Sequence, residues 1–120
     1  MENQRKVSIM IYINENIKDL RKIEEVTYGI EEEGIPYTIV RSKEKLLVDL
    51  ATLASMESKL DVGIGIDENF NAALYYAKLP EDYLLFKREL TYRLEDARTL
   101  GANAACMVKG VPFKMEGGSQ

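Results

Sequence analysis

Histidine is absent from these 120 residues and cysteine occurs once, at Cys106. Without imidazole there is no Ser-His or Cys-His nucleophilic pair, no histidine general base, and nearly no zinc site other than an all-cysteine one. A single thiol removes that last site and any internal disulfide as well. Cationic excess is also missing: 16 Lys and Arg stand against 20 Asp and Glu, a net charge of -4. Such a chain offers a phosphate backbone no basic surface, so nucleic acid is excluded as an expected partner. Uninterrupted apolar runs stay far below the ~20 residues of a membrane span, so no membrane contact is expected. The opening Met1-Glu2-Asn3-Gln4-Arg5-Lys6 leads into no signal-peptide core, and the expected location is cytoplasmic.

What is present fits one domain over residues 1–120, with residues 1–5 and 114–120 expected to be disordered. Val7-Ser8-Ile9-Met10-Ile11-Tyr12-Ile13 is β-branched and apolar and reads as a buried strand. Asn16 can cap a helix over residues 17–33, its apolar stripe formed by Leu20, Ile23, Val26, Thr27 and Ile30 and its end marked by Gly34 and Pro36. Residues 36–41 form a second strand. Ser42 can cap a second helix with Leu46, Leu47, Leu50, Leu53 and Ala54 on its inner face. In a third strand, residues 60–66, Gly63 and Gly65 alternate with Val62, Ile64 and Ile66, so one face is bare and something must pack close to it. Asp67-Glu68-Asn69-Phe70-Asn71 then turns into a hairpin strand, residues 72–76. A short edge strand over residues 83–86 and a helix over residues 89–109, ended by Gly110 and Pro112, complete the reading. The fold class is α/β in the order β-α-β-α-β-β-α, a mostly parallel sheet with helices packed on it.

Few features carry chemistry. Gly63-Ile64-Gly65 lacks the third glycine and following helix of a dinucleotide loop, so helix-on-sheet packing is its expected use. Cys106 has no neighbour to generate a thiolate and reads as a small packed side chain. Asp61 and Asp67 read as turn residues, and of the adjacent Tyr75 and Tyr76 only one ring can face a core. Without a phosphate-binding loop or a base to position water, hydrolysis of ATP by this chain is not expected.

Glu31-Glu32-Glu33 is the unusual run, because carboxylates in the last turn of a helix oppose its dipole at about 0.3–1 kcal/mol each. A nearby cation would offset that cost. At 100° per residue Glu31 and Glu33 lie on the flanks and Glu32 about 175° from the core stripe. Glu25, Tyr28 and Gly29 share its outer face. Periodicity alone allows two readings: a solvated acidic helix end, or a small contact patch.

Gly29-Ile30-Glu31-Glu32-Glu33-Gly34-Ile35-Pro36-Tyr37, Val62-Gly63-Ile64, Leu79-Pro80 before Leu85-Phe86, and Gly101 to Ala105 with Val108-Lys109-Gly110-Val111-Pro112-Phe113 resemble the small subunit of the diol/glycerol dehydratase reactivating factor. The likeness covers residues 29–113; before Val26 only the strand-helix pattern matches. Cys106 stands where that family usually carries arginine, Leu84 where it carries proline, and Tyr37 where it carries phenylalanine. Loss of the arginine puts any partner salt bridge made there in doubt.

The resemblance implies a fold like part of the dehydratase's own medium subunit, in a non-catalytic chain without a cofactor of its own. It implies as partner a large subunit with an actin-like ATPase domain, and as client an adenosylcobalamin-dependent diol or glycerol dehydratase, in cytoplasm that can include a bacterial microcompartment. It further implies that Glu32, the middle glutamate of the run, gives a carboxylate to a magnesium or calcium ion held mainly by the large subunit. Glu25, Tyr28, Gly29 and Glu32 are then the expected partner interface. Two rivals remain: a cobalamin-contacting component of the dehydratase itself, and a small metal-dependent enzyme using Glu25 and Glu32.

Overall fold

The computed structural model describes residues 6–78, 86–89 and 94–111. Strands β1 (Ile9–Asn14), β2 (Tyr37–Ser42), β3 (Val62–Ile66), β4 (Asn71–Tyr76) and β5 (Phe86–Glu89) form one sheet in the order β2-β1-β3-β4-β5. β1 pairs in parallel with β2 and β3; β4 is antiparallel to both β3 and β5. Four of the five strands therefore point the same way.

Helix α1 (Arg21–Glu32) links β1 to β2 on one side of β1, and α2 (Leu47–Glu57) links β2 to β3 on the other. Both crossovers are right-handed only if the two helices lie on opposite faces, which is the arrangement seen. Helix α3 (Leu94–Lys109) lies against α1, so the sheet is sandwiched. On the α1 and α3 face, Ile9, Ile11, Ile13, Val62, Ile64, Ile66 and Leu74 pack with Ile23, Val26, Ile30, Leu100 and Ala104. The α2 face is thinner, with Ala51, Ala73 and Tyr75 at its centre.

That thinness follows from the glycines of β3. A Cβ at Gly63 would run into the Ser55 amide and Ala54, and one at Gly65 into the Ala51 amide and Leu50. The bare strand face is thus covered by the α2 backbone, as its alternation predicts. So close an approach admits only Leu50, Ala51, Ala54 and Ser55 to the inner side of α2. Leu46 and Leu53, expected inside, are exposed, Leu46 at 64%.

Both helix caps differ from expectation. The buried Asn14 side chain takes the Asn16 amide at 2.9 Å and donates to the Glu44 carbonyl at 2.7 Å, turning the chain before a helix can start. Residues 17–20 stay irregular, and Asp19 accepts the Arg21 amide at 3.0 Å in place of an Asn16 cap. Hydrogen bonds from Arg21 hold the Asp19 carboxyl well below its usual range. Ser42 bonds the Glu44 amide in a local turn, so α2 begins five residues later without a side-chain cap.

The C-terminal stops are as expected. Gly34 has φ 77° and Gly110 φ 71°, the left-handed geometry glycine adopts most readily. In each, paired bonds close the helix: Gly34 and Ile35 amides to Glu31 and Ile30 carbonyls, and Gly110 and Val111 amides to those of Met107 and Cys106. Asp61 and Asp67 serve turns: Asp67 accepts the Asn69 and Asn71 amides, and Asp61 pairs with Lys78. Tyr75 and Tyr76 both pack on core clusters, on opposite faces, because this sheet has a core on each side. Glu89, expected in the last helix, ends β5, and α3 begins at Leu94. The expected strand over residues 83–86 reaches the described residues only at Phe86; the two terminal segments called disordered, Leu84 and Pro112 lie outside them.

Candidate functional site

The acidic end of α1 sits beside α3, and the two helices meet backbone to backbone. A Cβ at Gly29 would strike the Arg98 carbonyl and the Ala102 amide; one at Gly101 would strike the Val26 carbonyl. Gly29 is therefore buried inside the chain's own helix pair, not on the outer patch where its periodicity put it. The stripe that defines the core of α1 is centred nearer Val26, Gly29 and Ile30 than Leu20, which is exposed at the helix start. Glycine registers as neutral in an apolar pattern, and that is why the stripe appears displaced.

With the helices this close, side chains of α3 reach across to Glu25, Glu32 and Glu33. Arg98 donates to Glu25 Oε1 from Nε at 3.0 Å and from Nη2 at 2.8 Å. Its Nη1 reaches Glu32 Oε2 at 3.3 Å, and its guanidinium lies 5.6 Å from the centre of the Tyr28 ring. Lys109 bonds Glu33 Oε1 at 2.8 Å and the Glu33 carbonyl at 3.3 Å, and the Tyr37 hydroxyl donates to Glu31 at 3.1 Å. The cations that an acidic helix end calls for are Arg98 and Lys109. Neither was identified from the sequence. The signal that could have found Arg98 is Gly101 one turn later, facing Gly29 in a pair of helices.

Glu25, Tyr28 and Glu32 are thus brought together, by one guanidinium. They differ in exposure: the Glu25 side chain is 20% exposed and that of Glu32 56%, with Tyr28 at 42%. Glu32 engages Arg98 through a single oxygen at a longer distance. A half-exposed carboxylate of this kind is the donor a hard cation takes. Among the described residues, no group of three or more Asp, Glu, His or Cys is gathered to hold a metal ion. Glu32 could thus give a cation one carboxylate oxygen.

Cys106 is buried in α3 among alanines and its thiol is free, which agrees with the packing role expected of it. Among the described residues no helix is long and apolar enough to cross a membrane.

The chain matches the family model of the dehydratase medium subunit over residues 6–114. It belongs to that family. Within it the chain stands with the small subunits of the dehydratase-reactivating factors. It is 41% identical over 92 residues to the propanediol dehydratase-reactivating factor small subunit of Citrobacter freundii, covering 75% of this chain and 77% of the relative. A solved glycerol dehydratase reactivase superposes with a TM-score of 0.86 at 31% identity, over 90% of this chain and 96% of that one. A diol dehydratase-reactivating factor solved with ADP and Mg2+ gives 0.81 at 34% identity, over 90% and 97%.

Proposed function

We propose that this chain is the non-catalytic small subunit of a two-subunit reactivating factor. Its partner is a large subunit with an actin-like ATPase domain, and its client an adenosylcobalamin-dependent diol or glycerol dehydratase carrying a damaged cofactor. The complex works in the cytoplasm, in association with a bacterial microcompartment.

The observation that carries this reading is the likeness to the glycerol dehydratase reactivase across nine-tenths of the chain. The mechanism is subunit exchange: the small subunit leaves the large one, the dehydratase's medium subunit takes its place, and the loosened enzyme releases cobalamin. ATP binding to the large subunit then dissolves the mixed complex. A family model named for the dehydratase medium subunit supports this, since two chains of one fold can occupy one place.

Within that scheme Tyr28 and Glu32 meet the large subunit, Glu25 supports them from beneath through Arg98, and Glu32 lends its carboxylate to a magnesium or calcium ion. The ion supplies positive charge that joins the two subunits. Gly29 acts only through the helix pair.

The test is a pull-down with this chain from its native cytosol. The expected catch is a large ATPase subunit and, on exchange, dehydratase subunits; a catch with neither would contradict the assignment. The same family model favours a second reading, a cobalamin-contacting component of the dehydratase. In that case the purified chain would change the absorption spectrum of added cobalamin, which the reactivating-factor reading does not expect.

A further inference from the structure

Arg98 is held unequally by its two carboxylates. Towards the more buried Glu25 it makes two short bonds, at 2.8 and 3.0 Å, and it lies over the Tyr28 ring. Towards the exposed Glu32 it makes one contact, at 3.3 Å. Whatever competes for this cluster from solvent meets Glu32 first, and the bond that yields is the one from Nη1. After Glu32 leaves it, Arg98 still has Glu25 and the ring to hold it in place.

Resting on the proposed role of Glu32 towards a cation-bearing partner, we propose that Arg98 is a positioning residue that acts as an internal substitute for that cation. In the free chain it neutralises Glu32 and fixes it at the edge of α1. In the complex the partner's cation displaces it, and on dissociation it takes Glu32 back. A positive charge beside Glu32 opposes a second one there, so Arg98 weakens the joint it borders. A subunit that must leave its partner in every cycle gains from such a counterweight: the carboxylate it withdraws from the metal is never left without a cation.

The test uses the full chain with Arg98→Gln, and Arg98→Met as a second uncharged variant. The helices meet through Gly29 and Gly101, and a urea midpoint for each variant checks that the fold survives loss of the guanidinium. With magnesium, both variants should leave the large subunit about tenfold more slowly than the parent, as expected from removing one unit charge near the ligand. Without magnesium the difference should vanish. Arg98→Lys, which keeps the charge, should behave like the parent, and in a Glu32→Gln background Arg98→Gln should change nothing. Faster or unchanged dissociation of the uncharged variants, or an effect that survives Glu32→Gln, overturns the proposal.

If the parent chain itself fails to join a large subunit, the proposed function fails; if the parent joins it and the uncharged variants leave no more slowly, the role of Arg98 fails alone.

Discussion

Three consecutive glutamates end α1 against its own dipole, and each is met by a partner from elsewhere in the chain: Tyr37, Arg98 and Lys109. The run by itself marks a place where cations are wanted without saying which residues supply them. That information lies 66 positions further on, in the spacing of Arg98 and Gly101 along a helix whose partner is unknown until the chain folds. The outward turn of Glu32 was legible from phase alone, since it needs only the position of α1 relative to the core. The burial of Gly29 was not legible. Its lack of a side chain suits an exposed patch and a tight helix crossing equally well, and only the second makes it indispensable. At Cys106 the sequence was sufficient: a thiol among alanines, with no histidine anywhere, packs. Cys106→Ala should cost no more than about 1 kcal/mol in urea denaturation and leave association with a large subunit unchanged. Weakened association at unchanged stability would mean that the thiol faces a partner after all.

Among the elements, α2 separates what periodicity can and cannot supply. Counting large apolar residues put Leu46 and Leu53 inside, because a pattern search assumes that a core wants volume. The bare face of β3 imposes the opposite demand. With the α2 backbone lying directly on Gly63 and Gly65, the inner side of the helix holds Leu50 and otherwise only the small Ala51, Ala54 and Ser55, and Leu46 and Leu53 are turned outward. Both halves of the rule were in the sequence, but they lie on different elements and had to be read together. The helix starts failed for a similar reason: Asn14 and Ser42 form local turns that compete with capping, and such short-range competition is invisible to a cap signature. Gly65→Val forces two methyl groups into the Ala51 amide and should lower stability by about 3 kcal/mol or more, since backbone cannot move aside as a side chain can. The urea midpoint is the measurement. A parental value would mean that α2 can lift from the sheet at little cost.

For the molecule as a whole, the alternation of elements predicts a mostly parallel sheet with helices packed on it, while the strand order, and with it the placing of α1 and α2 on opposite faces by two right-handed crossovers, is set only in the folded chain. The antiparallel extension through β4 and β5 was only half legible, the hairpin by its Asp67-to-Asn71 turn and, within the described residues, the edge strand only at Phe86, its continuation through Glu89 having been read as the start of the last helix. The sandwich sets α1 and α3 side by side at one flank, where Tyr28, Glu32 and Arg98 are all partly exposed. The account stands or falls on whether that flank joins a metal-bearing partner. Calorimetric affinity for the large subunit, with and without magnesium, should be compared for the parent, Glu31→Gln, Glu32→Gln and Glu33→Gln. With magnesium, Glu32→Gln should bind at least about tenfold more weakly, since an amide oxygen keeps a ligand but removes its charge. Glu31→Gln and Glu33→Gln should stay within about threefold of the parent, as expected for surface charges outside the joint, and without magnesium all four should agree. Equal losses at the three positions, or a Glu32 effect indifferent to magnesium, would reduce the run to an acidic helix end and contradict the account.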